Sequence, residues 1–147
     1  MLDVYQPTQL LLALWPTADF ELPADGTEFG QRLCEQFPIF QTVQTLLIQG
    51  AMAPPELPRL VLSGHFGNWG LDLAPGRISL QRKPDGPVAM PEMLEEFSST
   101  ILPLHTWLAE QANLRVYRVG FVTDLFCNTK SSASAKIAQY FRQPRSI

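Results

Sequence analysis

The chain has 147 residues, 46% of them hydrophobic and 17% charged, with a formal net charge of −3. That length fits one domain spanning residues 1–147, able to bury roughly 70% of its unfolded surface. The acidic balance argues against a general nucleic-acid binder, which carries a basic face, and no apolar run approaches the ~20 residues that cross a bilayer.

Residues Leu2 to Trp15 read as a strand, with Leu10, Leu12 and Leu14 on one face and Leu11, Ala13 and Trp15 on the other. Pro7 removes a ladder donor, so the first half must be an edge or bulge, and Pro16 stops the run. The acidic connector Asp19 to Asp25 leads to a helix start, where Asp25 and Glu28 read as a capping box. Phe29, Leu33, Cys34 and Phe37 then recur at helical spacing, Glu28 and Arg32 form an i, i+4 pair, and Pro38 ends the helix. Phe40 to Ile48 alternates as a strand should, and the stretch from Gly50 to Pro58 is a proline-rich loop.

Three short strands follow, Arg59 to Phe66, Trp69 to Leu73 and Arg77 to Lys83. Gly67-Asn68 supplies the first turn, and Ala74-Pro75-Gly76 supplies a second of type II. In the third strand Ile78 and Leu80 face inward, while Arg77, Ser79, Gln81 and Lys83 face water. Pro91 suits the start of a helix on which Leu94, Phe97, Ile101, Leu104 and Leu108 form an apolar stripe widened by Met93 and Trp107. Pro103 either kinks that helix or divides it.

Leu114 to Cys127 is the most strongly patterned stretch, β-branched and aromatic on both alternate sets, and reads as the central strand. Arg115, Arg118 and Asp124 interrupt it and need partners, because an unpaired buried charge is costly. A last helix, Ala133 to Phe141, follows a cap at Ser131 or Ser132. The expected fold class is α+β: an antiparallel β-sheet of five to six strands, in the order β-α-β-β-β-β-α-β-α, with helices packed mainly on one face.

No motif specifies a reaction. His65, with Asn68 and Asp72, has the most varied chemistry, and a small-molecule hydrolase or transferase centred on His65 and Asp72 is one reading. Arg77, Arg82 and Lys83 lie close together, which makes a nucleic-acid accessory role a second reading, and one without a motif behind it. Ser131 to Lys136 lacks a serine three residues before the lysine, where Ala133 stands, although Lys130, Lys136 and free amides could hold an anion there. His105 and His65 lack metal-ligand spacing, and Cys34 and Cys127 read as buried reduced thiols, so neither a metal nor a cofactor is expected. Asp3 and the proline-broken run Leu10 to Trp15 do not resemble a leader, which makes the cytoplasm the expected location. Low charge and long strands with an edge to offer point to a non-enzymatic protein-binding or assembly domain that acts through a sheet edge or apolar face. A protein partner or self-association is expected, with Arg115, Arg118 and Asp124 as the leading binding residues, and no membrane.

The helix ending near Trp107-Leu108, the strand Arg118-Val-Gly-Phe121, a later Asn128 and the hairpin strand Arg77-Ile-Ser-Leu80 together carry a resemblance. This combination resembles a sporadically distributed, uncharacterised bacterial domain family, over about the C-terminal two-thirds of the chain. Asn128 lies farther from Gly120 than the family's pattern places its Asn. The resemblance implies a curved antiparallel sheet with flanking helices, similar to the export chaperone B fold, with no established activity.

Overall fold

The computed structural model describes residues 5–46 and 53–127. The first strand, β1 (Tyr5–Pro16), leads to helix α1 (Gly26–Gln36) and the short strand β2 (Thr42–Thr45). A meander of β3 (Leu60–Ser63), β4 (Trp69–Ala74) and β5 (Arg77–Arg82) follows, then the long helix α2 (Met90–Ala112) and β6 (Val116–Cys127). The described strands form one antiparallel sheet in the order β2-β3-β4-β5-β1-β6. The fold is α+β, as the sequence pattern implied. The helix expected from Ala133 to Phe141 lies outside the described residues.

Register decides which residues form the core. Leu12 stands opposite Leu80 of β5 and Phe121 of β6, and Leu80 stands opposite Leu71, which in turn faces Leu62. Residues directly opposite in an antiparallel ladder share a face, so this row runs across the sheet beneath the helices. Leu62, Leu71, Leu73, Ile78 and Leu80 are almost wholly buried there, each contributing ~1.5–3 kcal/mol of transfer free energy. Both helices lie on this face. Phe97 of α2 stacks near Trp69 at 6.0 Å, and Gly30 of α1 sits so close to Val43 that a β-carbon there would stand 2.4 Å from its Cγ1. The helices also meet each other, since Phe29 of α1 and Phe37, its C-cap, pack on Trp107 of α2 at 5.2 and 6.4 Å.

Local signals account for much of this. Asp25 caps α1 by accepting from the Glu28 amide at 3.2 Å. Pro7 coincides with a register shift between Pro7 and Gln9, and β5 reaches only Leu10 to Leu14, so the first half of β1 bulges and, among the described residues, lacks a neighbour on that side. Pro103 sits inside one unbroken α2, and Asn113 closes that helix in the left-handed region at φ 55°.

Several expectations are corrected. Leu94 is exposed and Met93 fully buried, so the stripe of α2 begins at Met93, while Phe97, Leu104 and Leu108 are buried as expected. Arg32 pairs with Gln111 and lies over the Trp107 ring instead of meeting Glu28. Ser79 faces away from the helices yet is buried: its short side chain lies between strands on both sides, opposite Ala13 and Asp72. The turn after β3 is shifted by one residue: Phe66 and Gly67 take positive φ values of 50° and 71°, and the Asn68 amide donates to the His65 carbonyl at 3.0 Å. Two central residues with positive φ match a type I′ turn. The turn at Pro75-Gly76 has no positive φ and is not type II. Gly76 is needed there for proximity, since a β-carbon would stand 2.9 Å from Pro55.

The largest correction concerns Leu114 to Cys127. This segment forms the outermost strand and not the central one: β6 pairs along its length with β1 and with no other strand among the described residues. The antiparallel meander extends the sheet from β2 to β5, β1 adds beyond β5, and α2 crosses over β1 to deliver β6 on its far side.

Candidate functional site

The outer strand combines a backbone edge that is open among the described residues with apolar side chains that stay exposed. Tyr117 and Val119 are 70% and 61% exposed, and Phe121, Val122, Leu125 and Phe126 are exposed as well. Their counterparts Leu71 and Leu73, in mid-sheet β4, are inaccessible. Tyr117 aside, the alternation divides these residues cleanly. Val119 and Phe121 share the helix side with Leu14 and Leu12, and Phe121 touches α2 through Phe97 at 6.2 Å between ring centroids. Arg118, Gly120, Val122 and Asp124 share the opposite face with Trp15, Ala13, Leu11 and Gln9. An edge strand that keeps its backbone groups and apolar side chains open is a template for another chain.

Trp15 organises the charged part of this strand. It stands opposite Arg118, and the guanidinium lies over its ring at 4.6 Å. The same ring crosses Gly120, where a β-carbon would stand 3.1 Å from Cζ3. Glycine at 120 thus lets the indole lie across the strand and hold Arg118 by a cation–π contact. Asp124 stands opposite Gln9, and its backbone carbonyl accepts from the Thr8 hydroxyl at 3.2 Å. Neither Arg118 nor Asp124 forms an ion pair among the described residues. They stand six positions apart along the strand, ~20 Å, too far to pair with each other within one chain. Arg115 precedes the strand, is exposed, and presents its carbonyl to the Thr17 amide at 2.8 Å.

The other candidates do not assemble. His65 is exposed in the turn, its ring against Phe66 at 4.1 Å, while Asp72 is half-buried in mid-strand between Val61 and Ser79. No hydrogen bond joins His65 to Asp72 among the described residues. Burial raises the Asp72 carboxyl above its ordinary pKa, and Arg77 opposes that shift. The basic residues of β5 separate as well. Arg77 opens the strand, whereas Arg82 ends it on the helix side, bound to Glu96 at 3.1 Å and stacked over Trp69 at 5.2 Å. Arg82 is therefore committed to holding α2 on the sheet. His105 is exposed on α2, and no cluster of metal-ligating side chains occurs among the described residues. Cys34 is a free, half-buried thiol whose pKa burial raises. Lys130 and Lys136 lie outside the described residues, as do Asn128 and the serines before Lys136.

Two features escape a reading of the sequence. Trp15 looks like the end of an apolar run, and its role depends on facing Gly120 across a ladder that joins the two ends of the chain. Phe66 is 87% exposed at a left-handed position, and only its place before Gly67 hints at a tight turn. Among the described residues no helix is long and apolar enough to cross a membrane. No family model, curated protein or solved structure matches the chain.

Proposed function

We propose that the chain is a non-enzymatic protein-binding or assembly domain that works through β6, as a subunit of a larger complex. The observation that carries this reading is the exposure of Tyr117, Val119, Phe121, Val122, Leu125 and Phe126 along a strand with a single neighbour among the described residues. Strand addition would satisfy the outer backbone groups and bury these side chains in one step. A cytoplasmic location belongs to the same proposal.

A photo-crosslinking amino acid at Tyr117 tests it, with Leu57 as the control because it is exposed on a loop far along the sheet. In cells expressing the full chain, position 117 is expected to capture protein, in a defined adduct that Leu57 does not give. Equal labelling at both positions overturns the reading.

A further inference from the structure

We infer that the partner of β6 is a second copy of the same strand, paired antiparallel about a two-fold axis at Phe121. This rests on the binding role proposed above and adds the identity of the partner. A two-fold axis perpendicular to the sheet keeps the helices of both copies on one side and makes a continuous twelve-stranded sheet from two of six. Each β6 residue then stands opposite a partner residue of the same face.

Charge selects the register. With Phe121 on the axis, Arg118 stands opposite the partner's Asp124, and Asp124 opposite the partner's Arg118. Centring one face-preserving step away, on Gly120's own position or on Val122, sets both charges against apolar residues or glycine. Centring on Arg118 or Asp124 sets like charges against each other, which is destabilising for residues directly opposite. Only the Phe121 register gives both charges their partners. The same register places Phe121 against the partner's Phe121 and Val119 against Thr123 on the helix side. On the other face Gly120 meets Val122. The two charges that find no ion-pair partner among the described residues of one chain, and are too far apart to find each other, are therefore complementary across the axis. Trp15 holds Arg118 in place for that contact at 4.6 Å.

The test is a charge swap on the full chain, with solution mass followed against concentration by sedimentation. The native chain is expected to dimerise, and Arg118→Asp or Asp124→Arg alone to weaken the dimer by about tenfold or more. Mixing the two single variants restores association, because each supplies the charge that the other lacks, and circular dichroism of each variant separates repulsion from misfolding. A second measurement reads the register without any charge change. Phe121→Cys places two thiols directly opposite, with β-carbons about 5 Å apart, and forms a disulfide-linked dimer on mild oxidation. Val119→Cys, offset from its own copy by four residues, does not.

A chain that stays monomeric up to about 1 mM overturns the self-pairing, as does a dimer insensitive to both charge variants, or equal cross-linking at positions 119 and 121. If the chain is monomeric but Tyr117 still captures a different protein, the self-pairing fails and the binding role stands. Monomer together with no specific capture removes both.

Discussion

Strands β4 and β6 are built from similar residues and have opposite fates. β4 alternates Trp69, Leu71 and Leu73 toward the helices, has a strand on each side, and loses those side chains wholly to the interior. β6 is twice as long, 12 residues against six, and as apolar, yet among the described residues it has one neighbour and it leaves most of its side chains in water. An apolar pattern states that a segment is suited to burial. Where that burial happens depends on the rest of the fold or on another molecule.

Deleting side chains on the two strands should separate them most. Leu71→Ala is expected to destabilise the domain by ~2–5 kcal/mol in denaturant titration, the usual cost of a cavity in a filled core. Val122→Ala should cost well under ~1 kcal/mol at concentrations where the chain is monomeric, since the side chain is already exposed. Equal losses would mean that β6 is buried after all.

Packing on the helix side gives the next contrast. Gly30→Ala should destabilise by ~1–3 kcal/mol through overpacking against Val43. Adding Val43→Ala should recover much of that loss, a coupling measurable by a double-mutant cycle. Additive effects would show that α1 does not approach β2 this closely.

Asp72, on the face away from the helices, should give β4 a pH signature. Its pKa is raised by burial in the folded state above the ordinary 3.8, so the folded chain holds the proton more tightly than the unfolded one. Its contribution is therefore fully present below pH 3.8 and lost as pH rises through the folded pKa. Asp72→Asn should remove that fall, gaining stability relative to the native chain at neutral pH, as thermal melts across pH 3 to 7 would detect. A native chain whose Asp72-dependent stability rises over that window would contradict the sign.

The smallest effect is expected in the turn that joins β3 to β4. Phe66 occupies the first central position of a type I′ turn, where Asn before Gly is favoured. Phe66→Asn should stabilise by up to ~1 kcal/mol as the left-handed strain is relieved. A loss of stability would mean that the stacking of Phe66 on His65 outweighs the strain.

Much of the fold was legible before any coordinates. The cap at Asp25, the interruption at Pro7, the meander of β3 to β5 and the helix through Leu104 and Leu108 follow from propensity and periodicity within a few neighbouring residues. The site was legible only as an anomaly: Arg118 and Asp124 stood out as charges within an apolar strand, without any sign of what they face.

What the sequence alone determined, then, is the described elements and their α+β class, since backbone propensity, caps and turns act over short separations. Tertiary structure decided that β1, interrupted by a proline, takes an inner position and that the more apolar β6 takes the edge. It also decided that Trp15 meets Arg118 across Gly120. The pairing of β1 with β6 joins residues a hundred or more positions apart. A two-residue period specifies the faces of such a strand and carries no information about its neighbours.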